Sequence, residues 1–433
     1  GAETARAVMQ GSGAALEFVS DNLKDVLDVV LAAVSQNPRS IRFASERLRS
    51  EAQVVRAAAQ QVVGAETARA VMQVSGVALE FVSDNLKDVL DVVLAAVSQN
   101  PRSIRFASQR LRGEAQVVRA AAKQVVDAET ARAVAEQIVD AETARAVMQV
   151  SGTALEFVSD NLKDVLDVVL AAVSQNPRSI RFASARLRGN AQVVRAAAQQ
   201  IRDAETARAV MQGSGAALEF VSDNLKDVLD VVLAAVSQNP RSIRFASERL
   251  RSEAQVVRAA AQQVVGAETA QAVMQVSGVA LEFVSDNLKD VLNVVLAAVS
   301  QNPRSIRFAS QRLRGEAQVV RAAAKQVVDA ETARAVAEQI VDAETARAVM
   351  QISGTALEFV SDNLKDVLDV VLAAVSQNPR SIRFASARLR GNAQVVRAAA
   401  QQIRDAETAR AVMQGSGAAL EFVSDNLKDV LDV

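Results

Sequence analysis

The chain repeats itself, and the repeat limits what it can fold into. The stretch Asp25–Arg49, DVLDVVLAAVSQNPRSIRFASERLR, returns almost unchanged from Asp88, Asp164, Asp227, Asp290 and Asp366, and another copy begins at Asp429. A segment that recurs in this way is one supersecondary unit that buries its apolar face against its neighbours. By length alone, 433 residues would suggest two or three domains. The internal period overrides that expectation and predicts one continuous array.

Within the unit the apolar spacing is helical. Val29, Val30, Ala33 and Val34 form one stripe, and Ile41, Ala44 and Leu48 form a second at intervals of three and four, with Phe43 beside them. Asp25 reads as an N-cap, with Asp28 three residues on as a variant capping box. Asn37-Pro38 reads as a turn: Asn caps the second helix and Pro suits its first position, where no backbone N–H is needed. Asn100-Pro101 and Asn176-Pro177 are the same turn in later copies. The expected fold is an all-α solenoid of helices of about 12–13 residues, stacked as hairpins of about 25.

Around this hairpin lie a helix AETARAVMQ (Gly1–Gly13), a helix AALEFVSDNLK (Ala14–Lys24) and a fifth helix, Glu51–Val63, started by a capping box Ser50-x-x-Gln53. Glu51–Gln73 is expected as two helices. Arg69 breaks the apolar stripe, and the restart residue elsewhere is a capping Asp (Asp127, Asp140, Asp203). Three sub-units result: 1–63, 64–139, which carries an additional 13-residue segment Asp127–Val139, and 140–202. Insertions thus arrive as whole helices. The pattern is compatible with the helices after Val63 and Val126 either staying in one layer or changing layers.

A longer period lies above these. Residues 203–404 repeat 1–202 except at Gly1/Asp203, Arg69/Gln271, Asp91/Asn293 and Val150/Ile352, and a third copy occupies 405–433. No polar capping repeat is evident, so the sequence is expected to be a window of a longer array.

The pattern VVLAAVSQNPRSIRFASERLR resembles a repeat family catalogued as domain of unknown function 4116, with consensus VVLAAVxQNxxALxFASxxLR. The likeness covers Ala14–Gln60 and its copies, while the AETARAV helices depart from it. It implies stacked α-hairpins, and it brings no catalytic residue, cofactor or ligand.

Composition narrows the chemistry. There is no Cys, His, Trp or Tyr, which excludes thiol or Ser-His nucleophiles and the usual zinc and haem sites. Glycines occur singly at turns, without a P-loop or dinucleotide fingerprint. Asp21, Asp25 and Asp28 have no calcium-loop spacing. No catalytic residue, metal or cofactor is expected, nor a small-molecule substrate or a membrane span. Phe18 and Phe43, at helical spacing among Val, Leu and Ile, are expected in the core rather than as stacking platforms. Met9 and Met72 are expected as gap-fillers there.

The charges form bands. Ala14–Gln36 carries Glu17, Asp21, Asp25 and Asp28 against Lys24, a net −3; Arg39–Val63 carries Arg39, Arg42, Arg47, Arg49 and Arg56 against Glu46 and Glu51, a net +3. With a whole-chain charge of −1, nucleic acid is not the expected partner. Glu17, Asp21, Asp28, Arg39, Arg42, Arg47 and Arg49 are instead expected to make contacts between repeats or between molecules. The function expected is therefore that of a structural protein which self-associates into a filament or fibre. A scaffold that binds a peptide or protein partner is the alternative, with anionic-polymer binding through the Arg rows third.

Overall fold

The computed structural model describes Gly1–Val423, so the copy beginning at Asp429 lies outside the described residues. The described residues are helical throughout, with no strand. They form two compact units, Gly1–Val221 and Ser222 onward; the division does not coincide with the 202/203 boundary of the long repeat.

The first unit shows the architecture. Numbering only helices of eight residues or more, it contains α1 (Ala2–Gly11), α2 (Leu27–Gln36), α3 (Ala52–Gln60), α4 (Ala65–Val74), α5 (Leu90–Gln99), α6 (Ala115–Ala122), α7 (Ala128–Ala135), α8 (Ala141–Val150), α9 (Leu166–Gln175), α10 (Ala191–Gln199) and α11 (Ala204–Gly213). Between the members of each AETARAV–LDVVLAAVSQ pair, and after each LDVVLAAVSQ helix, the chain forms a 3-10 helix and then one α-helical turn. Gly13–Phe18 leads to Asp21–Lys24, and Pro38–Phe43 leads to Glu46–Arg49.

Pro38–Arg49 is thus not the single helix that its apolar spacing predicts. Ser45 interrupts it: its backbone N–H donates to the Lys24 carbonyl 3.0 Å away, and its hydroxyl accepts from the Leu48 N–H. The chain restarts as a new helix there because the Ser45 N–H is already committed across the hairpin. The inward stripe survives the break, with Ile41, Ala44 and Leu48 all buried.

Two cap assignments are corrected. Val26, not Asp25, precedes α2, and no side chain caps that end. Asp25 closes the short helix Asp21–Lys24, and its carboxylate is turned across the hairpin instead. The box at Ser50 and Gln53 does not form either: α3 starts after Glu51, and the Ser50 hydroxyl donates to the Arg47 carbonyl. Asn37 does accept from the Arg39 N–H at 3.1 Å, as do Asn100 from Arg102 and Asn176 from Arg178. Pro38, Pro101 and Pro177 each open a 3-10 helix. Glu51–Gln73 is two helices, and Asp127, Asp140 and Asp203 cap theirs through the N–H of Thr130, Thr143 and Thr206.

Elements alternate between two rows. Row one holds α1, α2 and α3, then Gly76–Phe81, Pro101–Phe106, α7, Gly152–Phe157, Pro177–Phe182 and α11; row two holds Gly13–Phe18, Pro38–Phe43, α4, α5, α6, α8, α9, α10 and Gly215–Phe220. The α-helices therefore begin in row one and cross to row two at α3/α4. Sub-unit 1–63 supplies an odd number of elements, so its successor begins in the other row. The inserted α7 makes the middle sub-unit even. Over the whole long repeat the count is even, and α11 returns to the row of α1. The same order of elements recurs from Ser222 to Val423.

Helices this short are marginal alone in water. Burial between neighbours in both rows supplies the stability: Met9, Leu16, Val29, Val30, Ala33, Val34, Ile41 and Leu48 are fully buried, at roughly 1.5–3 kcal/mol for each large aliphatic side chain.

Candidate functional site

Three side-chain ladders lock the array. The first closes each hairpin. Asp25 accepts from the Ser45 hydroxyl and from Arg47 Nε at 3.1 Å, while Arg47 also donates to the Asp25 carbonyl at 2.9 Å. The Ser45 hydroxyl, aided by the Arg47 charge, holds the Asp25 carboxyl below its ordinary value. Asp88, Asp164, Asp227, Asp290 and Asp366 are held the same way by their own Ser and Arg.

The second ladder ties each PRSIRF segment to the next AETARAV helix, which opens a new sub-unit in every case but α7. Arg39 reaches forward to pair with Glu66 at 3.1 Å, and the pairing recurs as Arg102–Glu129, Arg178–Glu205 and Arg241–Glu268. These pairs are largely exposed, so each is worth about 0–1 kcal/mol and fixes register more than it stabilises.

The third ladder corrects the expectation for phenylalanine. Phe43 is half-buried rather than core, and Phe18 is 82% exposed. In PRSIRF segments the ring lies under the preceding Arg, as with Arg42 over Phe43 at 4.6 Å. In GxALEF segments the preceding residue is Glu, and the guanidinium comes instead from an earlier helix, α3, α7 or α10: Arg56 over Phe81, Arg132 over Phe157, Arg195 over Phe220. The 3-10 ending holds each ring at the surface, where a cation over its face is favourable. Met9 and Met72 are fully buried.

The residues that the sequence marked for contacts are therefore dispersed. Arg39 reaches the next sub-unit, Arg47 its own hairpin, Arg42 its neighbouring ring, and Arg49 the Ala44 carbonyl at 2.9 Å. Asp21 pairs with Lys24 one turn away. Glu17 and Asp28 are exposed and make no ion pair among the described residues.

A groove escapes the sequence pattern. Where α4 lies beside α5, Arg69 and Gln73 face Asp91, Leu94, Ala95, Ser98 and Gln99 across an open depression of about 520 Å³. The spacings i, i+4 on one helix and i, i+3, i+4, i+7, i+8 on the other place these side chains on one face of each. The depression recurs at Arg145–Gln175, at Gln271–Gln301 and at Arg347–Gln377. The Gly76 N–H donates to Gln99 Oε1 at 2.5 Å, which fixes the amide's orientation and leaves its NH₂ donors and the second Oε1 lone pair outside that bond. Gln175, Gln301 and Gln377 are oriented identically. One signal was available in the sequence: two of the four differences between the long repeats, Arg69/Gln271 and Asp91/Asn293, are groove positions.

No helix among the described residues is long and apolar enough to cross a membrane, and none of their side chains form a group of three or more able to hold a metal ion. No curated protein is detectably similar to this chain. The family model for a domain of unknown function, DUF4116, matches it six times, at residues 3–49, 66–112, 140–188, 203–251, 271–314 and 342–390. The matched span runs from Glu3 to Arg49 rather than over Ala14–Gln60, so the AETARAV helix belongs to the family pattern and the AQVVRAAA helix lies outside it. With well over half of its residues inside these six matches, the chain belongs to the DUF4116 repeat family.

Proposed function

We propose that this repeat protein is a non-enzymatic interaction scaffold that offers its recurring groove to an extended polypeptide. The observation that carries this reading is the groove itself: the same positions, lined by amides, a hydroxyl and a small apolar floor, recur along the array. Amide side chains both donate and accept, which suits a peptide backbone. Leu94 and Ala95 provide a floor for an apolar side chain. The filament reading is the competing one: Arg39, Arg42, Arg47 and Arg49 make contacts inside the chain, whereas Glu17 and Asp28 stay exposed, with no ion pair among the described residues. Catalysis has no support either, since the perturbed carboxylates serve as hairpin latches and helix caps.

The test is selection of displayed 12-residue peptides on the immobilised full chain. The expected result is a shared sequence family whose binding weakens at least tenfold when Ala95, Ala171, Ala297 and Ala373 are all replaced by Arg to fill the grooves. Absence of a shared family, or binding indifferent to the filled grooves, would overturn the scaffold reading. Sedimentation of the same sample across concentration addresses the competing one, for which growth into long polymers is required.

A further inference from the structure

One stretch of sequence occurs twice in the first unit, in different surroundings. Residues 2–18 and 204–220 are identical, and both fold as an α-helix followed by a 3-10 helix: α1 with Gly13–Phe18, and α11 with Gly215–Phe220. In the second occurrence the segment 177–202 covers this pair. There α11 packs on Pro177–Phe182, and Gly215–Phe220 packs on α10. Arg178 pairs with Glu205 at 3.2 Å, and the Arg195 guanidinium lies over the Phe220 ring at 5.2 Å. In the first occurrence the same face is open. Glu3 has no ion pair and Phe18 no guanidinium among the described residues. Val8 is 49% exposed where Val210 is fully buried, and Gly11 and Ser12 are exposed where Gly213 and Ser214 are buried.

We infer that the open face of α1 and Gly13–Phe18 is a docking surface for a hairpin of the chain's own repeat type, PRSIRF followed by AQVVRAAA as in segment 177–202, presented by a separate polypeptide. The covered copy of the face shows what the occupant supplies. An Arg in the place of Arg178 meets Glu3, and one in the place of Arg195 covers Phe18. The charges are opposite in sign: segment 177–202 carries six Arg and no acidic residue, and residues 2–18 carry Glu3 and Glu17 against Arg6. Gly11 is the selective position. A Cβ on Gly213 would sit 2.9 Å from the Arg181 backbone nitrogen and 2.9 Å from Ile180 Cγ2, whereas one on Gly11 meets nothing within 4 Å. Helices α4 and α8 end in Val74 and Val150 at this position, so the helix itself accepts a side chain there and only this docking excludes it. The surface is separate from the four grooves, and neither reading depends on the other.

The probe is a fluorescein-labelled synthetic peptide of sequence 177–202, titrated with the full chain and followed by fluorescence anisotropy. A peptide of the same composition in scrambled order controls for its charge. The expected result is saturable binding at one site per chain, absent for the scrambled peptide. Gly11→Val should weaken it about tenfold or more, as an overpacking change at the contact, and leave the thermal unfolding midpoint in place. Phe18→Ala should weaken it at least about two- to fivefold, the range of an exposed cation–π contact. That loss should shrink against a peptide carrying Arg195→Ala, because the two side chains act as a pair. No binding, equal binding of the scrambled peptide, or binding indifferent to Gly11→Val would overturn the docking surface. A full chain that sediments as a dimer, and that Gly11→Val renders monomeric, would put a second copy on the face and overturn the assignment to a separate hairpin.

Discussion

At the scale of single residues, tolerance is set by how closely backbone approaches backbone. A Cβ on Gly76 would sit 2.3 Å from the Ala96 carbonyl oxygen, a distance that no rotamer can relieve. Gly76→Ala should therefore push α4 from α5, disrupt the bond from its N–H to Gln99, and cost about 1–3 kcal/mol as an overpacking change. The onset of thermal unfolding followed by circular dichroism should fall clearly. Gly113→Ala, where nothing lies within 4 Å, should leave it in place. Equal effects from the two would contradict the argument. Buried serine behaves oppositely. Ser40, Ser103, Ser179, Ser242, Ser305 and Ser381 are buried with hydroxyls that find no partner, and an unpaired buried hydroxyl costs free energy. Replacing all six with Ala should hold or raise the unfolding temperature; a fall would mean that these hydroxyls are satisfied in solution.

At the scale of elements, the latch between Asp25, Ser45 and Arg47 makes the hairpin acid-sensitive. Its carboxyl is held below the ordinary value in the folded chain. The stabilisation is therefore fully present above the unfolded-state value and is lost as pH falls through the folded one, below about pH 4. The capping carboxylates Asp127, Asp140 and Asp203, held low chiefly by the N–H of the Thr three residues on, act in the same direction. Thermal midpoints should be flat from pH 7 to 5 and fall steeply below 4. Asn at all six latch positions should lower the midpoint at pH 7 and shallow the acid-side fall. A wild-type midpoint indifferent to pH down to 3 would remove the latch from the account. The sequence showed the helices but not the latch, for a physical reason. Ile41, Ala44 and Leu48 repeat at three and four, a spacing that a 3-10 turn and an α-turn share, so nothing local marks the break at Ser45. The surface position of Phe43 and Phe81 is hidden too, because apolar spacing says nothing about a guanidinium arriving from the adjacent residue or from a separate helix. The groove was hidden likewise, since Arg69 and Asp91 belong to helices joined through an intervening 3-10 segment.

At the scale of the whole molecule, the arithmetic of elements matters more than their identity. LDVVLAAVSQ occupies row one as α2 and row two as α5 and α9, so the same helix serves both. A change of row is then no obstacle, provided that whole elements are added or removed. Deleting Asp127–Val139 removes one element and sends every later element to the other row. It also restores the ladders. Glu142 then stands as far beyond Arg102 as Glu66 stands beyond Arg39, and Arg119 precedes Phe157 by the same interval as Arg56 precedes Phe81. The new junction matches the one that already joins α3 to α4. The deletion should fold with undiminished helicity per residue and unfold within a few degrees of the parent, since stability in such arrays comes from nearest neighbours. Removing only positions 128–134 leaves half an element, puts both ladders out of step, and should reduce helicity and lower the unfolding temperature sharply. Circular dichroism and thermal unfolding of the two deletions, side by side, decide it: equal damage from both would mean that the rows are not interchangeable and that the inserted helix is not the unit of assembly.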